Sequence, residues 1–258
     1  MFDYNNLEQL NIHYTNLVSS GVEDEKFKNV FEIFLDEVSV FKYDNKFEKE
    51  QKYNNIVLLT LYNIFTINEL LSNILLKNYI SIFSLTRVLI ENYYYLYFLK
   101  NSSEKINEVY YDYNQLKFIN IWDEEKIKKY EEKYSVKINR RKDKQWIEQI
   151  RDSKNANGFN YIKEKVENLG ETFYYDWYKS NSNFIHSSLP ASKLNISLFL
   201  DDDNKYKQFI DDILHFLVND IHKVFLINED YLLFDEDNIE KRKLLIEKII
   251  NFYGRSDK

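Results

Sequence analysis

Histidine is scarce in this sequence, with four residues and no cysteine beside them. One of the four, His186, closes the stretch YDWYKSNSNFIHSSLP at 175–190. Tyr178, Ser182 and His186 step by four residues and so share one face of a helix. Pro190, the only proline, cannot continue that helix, which puts His186 in or near its last turn. Carbonyl groups at a helix C-terminus favour the protonated imidazole. Such an imidazole can serve as a general acid or contact a phosphate. The plainer role is a histidine that caps the chain end or fills the core.

A second pair stands far upstream in TRVLIENYYYLYFL. Arg87 and Glu91 are four apart and lie on one helical face, which Tyr94, Tyr95 and Phe98 continue. Their helix is the most apolar in the chain, and burying an unpaired ion costs several kcal/mol. The two must therefore neutralise each other, reach another polar group, or face a cleft. Two readings follow: a structural ion pair, or a polar pocket lined by Arg87 and Glu91.

Other chemistry is weaker. The run KINRRKDK places Lys137, Arg140, Arg141, Lys142 and Lys144 between Tyr134 and Trp146, a pattern able to grip backbone phosphates. A charge run more often marks a solvated face. His215 and His222 are seven apart on one helix, and Asp212 precedes His215 by three. Apolar neighbours explain both histidines as the margin of a packing face, and no H-E-x-x-H is present, so no metal site is expected. Four scattered glycines exclude a Gly-rich phosphate loop and a serine-hydrolase elbow, and no cofactor is expected.

These residues need helices to hold them. Four Gly and one Pro are too few for the tight turns of a sheet protein, so few and long elements are expected. Apolar residues recur at helical steps, as in Phe27, Val30, Phe31, Phe34, Val38 and Phe41. The spacing predicts helices at 4–19, 24–42, 46–77, 79–100, 103–121, 123–135, 139–153, 159–169, 171–188, 203–228 and 236–252. The helix at 79–100 is apolar on nearly every side, as in the middle of a bundle. The fold class is therefore all-α: a single irregular multi-helix bundle over 1–258, with its core at about 46–122 and 158–252 and a charged excursion at about 123–157.

Composition narrows the setting. Hydrophobic residues make up 44% and aromatics 17%, enough to fill a substantial core. Net charge is −7, which argues against long-range attraction of the whole surface to nucleic acid or anionic membranes. Residues 123–154 differ, with eleven Lys/Arg against eight Asp/Glu, or +3, leaving −10 elsewhere. Without cysteine there is no disulfide framework, which fits a reducing cytoplasm. The N-terminal sequence has no secretory pattern, and the longest apolar-looking stretch, VLIENYYYLYFL, is too short for a bilayer span.

The segments TRVLIENYYYLYFL and YYDWYKSNSNFIHSS resemble a bacterial all-helical family of unknown function. Its marks are R-x-x-x-E followed, about a hundred residues later, by Y-x-x-x-S-x-x-x-H, here Arg87 and Glu91, then Tyr178, Ser182 and His186. The resemblance spans roughly 50–200. A fainter one is to the HEPN superfamily of helical ribonucleases and nucleotide-binding proteins, often marked by R-N-x-x-x-H. In NSNFIH, Asn181 stands where that arginine should be and Ser182 where the asparagine should be. Arg87 could replace the missing cation from a neighbouring helix.

The resemblance implies a cytoplasmic effector, a toxin or phage-defence ribonuclease, acting through His186 with Arg87. Glu91 would orient Arg87, and Tyr178 and Ser182 would donate hydrogen bonds. Two alternatives stay open: a non-enzymatic helical module binding a ligand or partner protein in the same cleft, and a metal-dependent hydrolase. RNA, a partner protein and a second copy of the chain are the partners these readings admit. A membrane is not among them.

Overall fold

The computed structural model describes residues 24–116, 124–135, 137, 158–170 and 203–256. Among these residues there are eight α-helices and no β-strand, so the fold is all-α. They are α1 (Glu25–Val40), α2 (Gln51–Leu75), α3 (Tyr79–Lys100), α4 (Glu104–Leu116), α5 (Glu124–Tyr134), α6 (Gly158–Asn168), α7 (Asp203–Asn228) and α8 (Glu236–Ser256). The helices expected at 4–19, 139–153 and 171–188 lie outside the described residues. The one expected at 46–77 begins later, at Gln51, because a 3-10 turn occupies Asn45–Phe47.

The chain divides into two compact units, each built from separate stretches of sequence: 1–45, 60–93 and 174–258 in the first, 46–59 and 94–173 in the second. In the first unit, Asp24 caps α1 by accepting a 3.0 Å hydrogen bond from the Phe27 amide. α1 buries Phe27, Val30, Phe31, Ile33, Phe34 and Val40 and packs against α7 and α8. After α1 the chain pairs briefly with the turn beyond α7. Tyr43 and Leu232 form an isolated antiparallel bridge, and the Leu233 amide donates to the Lys42 carbonyl at 2.7 Å. Arg242 and Asn238 on α8 fasten that turn by donating to the Leu233 carbonyl at 2.7 and 2.8 Å.

The connection from α2 to α3 shows how a chain this poor in glycine turns. The Asn78 amide donates to the Asn73 carbonyl at 2.9 Å, and the Lys77 amide to the Ile74 carbonyl at 3.1 Å. This is the two-bond Schellman closure, with Lys77 in the left-handed position at φ +52° that glycine usually takes. Asn78 then starts α3, its carbonyl accepting from the Ile82 amide at 3.0 Å.

In the second unit, the Glu104 carboxylate at the start of α4 accepts from the Gln51 and Lys52 amides at the start of α2. A carboxylate is favoured there by the helix dipole. Asn107 is buried and saturated: its amide donates to the Leu99 and Ser103 carbonyls, and its Oδ1 accepts from Asn55 at 3.0 Å. α5 lays Ile127 and Tyr130 inward, with Tyr130 edge-on to Tyr113 of α4. Asp112 of α4 accepts from Lys133 at 2.8 Å and from the Tyr134 hydroxyl at 2.9 Å.

By length and composition alone, α2 is long and apolar enough to cross a membrane. Two-thirds of its most apolar window is nevertheless buried within the protein, as in a core helix. It also buries Asn55, Thr60 and Asn63, side chains that bond to Asn107, Asn228 and Asp220 on other helices and that a lipid phase would not satisfy.

Candidate functional site

Arg87 and Glu91 stand in the first unit, on α3. Arg87 Nε donates to Glu91 Oε1 at 2.9 Å, so the pair anticipated from the four-residue spacing is formed. The side chains remain 24% and 35% exposed. The pair is therefore half-buried, a cation within reach of water and held in one orientation. Its order, with the arginine nearer the helix N-terminus, is the less favourable one against the dipole. A pair this exposed adds no more than about 0.5 kcal/mol to stability.

The position of the pair follows from how α3 packs. Ile82, Phe83, Leu89, Ile90, Tyr93, Leu96 and Leu99 are buried, while Ser84, Arg87, Val88, Glu91 and Tyr95 form a partly exposed stripe. The only charged residues between Ile80 and Leu99 fall on that stripe.

The other expected site residues divide simply. Lys137 is described and exposed. Tyr178, Ser182, His186, Arg140, Arg141, Lys142 and Lys144 lie outside the described residues. His215 is half-buried, its ring 4.9 Å from that of Phe252. Burial first, and the charge of Lys26 second, hold its imidazole below the usual range, and burial does the same for His222. Among the described residues no three His, Cys, Asp or Glu side chains gather as metal ligands.

A polar cluster in the core of the first unit was not anticipated. Asn92 on α3 donates to Asn63 Oδ1 on α2 at 3.0 Å. Asn63 in turn donates to Asp220 Oδ2 on α7 at 2.7 Å. Opposite stands Glu37 on α1, and all four side chains are buried. Burial, reinforced by the charge of Asp220, pushes the Glu37 carboxyl well above the usual carboxylate range. Burial also lifts Asp220 to about 7, against the Asn63 hydrogen bond and the charge of Lys223, both of which favour its ionised form. The signal was present in the sequence: Glu37 falls on the stripe of Phe27, Val30, Phe31 and Phe34, and Asp220 sits among Phe216, Leu217, Ile221 and Val224.

A groove of about 520 Å³ also opens on the first unit between α1 and α8, floored by Ile33 and Phe252. Its two lysines are already engaged, Lys26 with Asp211 at 3.3 Å and Lys248 with Asp36 at 2.7 Å.

Fold and site together define a helical-bundle protein with an oriented, water-accessible arginine on the apolar helix α3. Residues 54–207 match a family of unknown function, DUF5677, and the chain belongs to that family. The matched region contains Arg87 and Glu91, and it also contains His186. No curated protein and no solved structure matches the chain.

Proposed function

We propose that the chain is a HEPN-like cytoplasmic effector, a toxin or phage-defence ribonuclease, that cleaves RNA without a metal ion through His186 and Arg87. The observation that carries this reading is the Arg87–Glu91 pair, preset at 2.9 Å and open to water within the family-matching region. A guanidinium held this way suits charge developing on a phosphate. Glu91 acts on Arg87 and is a positioning residue.

In the reaction, the 2′-hydroxyl oxygen attacks the adjacent phosphorus and the bond to the 5′-oxygen breaks. His186 takes the 2′-hydroxyl proton or supplies one to the leaving oxygen. Arg87 binds the phosphate oxygens as negative charge builds on them. Tyr178 and Ser182 donate hydrogen bonds. The products are a 2′,3′-cyclic phosphate and a free 5′-hydroxyl. Lys137, Arg140, Arg141, Lys142 and Lys144 would hold flanking phosphates. A second copy of the chain is part of the same proposal.

The test is cleavage of end-labelled RNA by purified protein in the presence of a chelator. The expected outcome is cyclic-phosphate product from the parent protein. The rate should fall about 10²–10⁴-fold in His186→Ala and about 10²–10³-fold in Arg87→Ala, with melting temperatures unchanged. Cleavage that both variants retain, or that the chelator abolishes, would overturn the mechanism.

A further inference from the structure

The buried cluster on α1, α2, α3 and α7 presents a charge problem. Asp220 Oδ2 is satisfied by Asn63, but Asp220 Oδ1 and both Glu37 oxygens accept no hydrogen bond, and all three atoms are buried. Two buried carboxylates acting on each other would be mutually repulsive, offset only in part by Lys223 on the Asp220 side. The charged groups around them are few. On α7, Lys223 acts on Asp220 and also lies 5.5 Å from the Tyr93 ring. α2 and α3 bring the neutral amides of Asn63 and Asn92 to the cluster. On α8, Lys248 is taken by Asp36 at 2.7 Å and Glu32 at 3.5 Å. Among the described residues no ion pair or hydrogen bond joins a cation to Glu37.

We infer that Glu37 keeps its proton in the folded protein at neutral pH and shares it with Asp220 across the contact between α1 and α7, making this core a proton-dependent lock. A protonated carboxyl is a donor, so it joins two of the three orphaned oxygens, one of Glu37 and Oδ1 of Asp220, in a hydrogen bond. It also leaves one charge where there would be two, beside Lys223.

The direction of the pH effect follows from linkage. In the unfolded chain Glu37 and Asp220 lose their protons near the ordinary values of about 4. In the folded protein burial raises both, Asp220 to about 7 and Glu37 well above its usual range. The folded state then binds more protons than the unfolded one. Stability is complete at acid pH and is lost as pH rises through the folded titration, by at most about tenfold in the folding constant per pH unit for each proton held. Above about pH 7.5, His215 and His222 are neutral folded or unfolded and do not contribute.

The experiment is urea unfolding of the wild-type chain and of Glu37→Gln at pH 7.5 and 9. The glutamine amide replaces the shared proton with a permanent N–H donor. The wild-type folding constant should fall by at least about tenfold between the two pH values, and that of Glu37→Gln by less than about threefold. Wild-type protein with glutamate labelled at its side-chain carboxyl carbon gives a second readout that needs no variant to fold. One labelled carbon should still resonate as a protonated carboxyl at pH 7.5. Equal pH dependence in the two proteins, or complete titration of every labelled glutamate below pH 6, would overturn the inference. So would stability that answers to added potassium, calcium or magnesium and not to pH.

Discussion

At the scale of single residues, the candidate site rests on how one arginine is held. Arg87 bonds through Nε to Glu91, and both stay partly open to water. If Glu91 does no more than stabilise α3, its loss costs less than about 1 kcal/mol. If it aims Arg87 at a phosphate, its loss costs rate. Glu91→Ala should therefore lower kcat for RNA cleavage by about 10–100-fold with little change in melting temperature, and Glu91→Gln, which keeps an acceptor, should recover most of that loss. A parallel fall in melting temperature with unchanged turnover would leave Glu91 a structural residue. The pair was legible in the sequence because a four-residue step leaves one geometry for its partners. Its exposure was not, because a helix apolar on nearly every side does not announce which stripe its neighbours leave open. Glu37 and Asp220 escaped for a related reason. Periodicity registers the apolar positions of a stripe and passes over a lone acid set among them.

At the scale of elements, the ends of helices carry the lesson. The bounds of α3, 79–100, and α7, 203–228, were readable from the helical spacing of their apolar residues. The start of α2 was not readable. It depends on Glu104, fifty-two residues beyond Lys52, closing over the first amides of the helix, a contact that no local pattern encodes. The turn from α2 to α3 is a further case, since it places Lys77 at φ +52°. A side chain in that conformation costs about 1–2 kcal/mol, partly offset by the greater entropy glycine loses on folding. Lys77 is exposed, so replacement leaves no cavity. Lys77→Gly should accordingly stabilise the protein by about 0.5–1 kcal/mol, seen as a rise in melting temperature of about 1–4 °C. A fall would mean that the lysine side chain contributes more than its backbone conformation costs.

At the scale of the whole molecule, the composition foretold the class of fold. With four glycines and one proline the chain turns seldom, and its described residues are built from long helices. Composition did not foretell how the chain divides. Each compact unit is assembled from separate stretches of sequence, a consequence of long-range packing that no run of linker residues signals. The family match spans 54–207 and so draws on both units. The functional proposal rests on Arg87 and His186, ninety-nine positions apart, serving one phosphate. A double-variant cycle tests that claim most directly, by comparing RNA-cleavage rates for the parent, Arg87→Ala, His186→Ala and the double variant. Groups that act together on one transition state lose little more when both are removed than when the more important one is. The account predicts that the double variant is within about tenfold of the slower single variant. Losses that multiply across the two sites, or single variants as active as the parent, would contradict it.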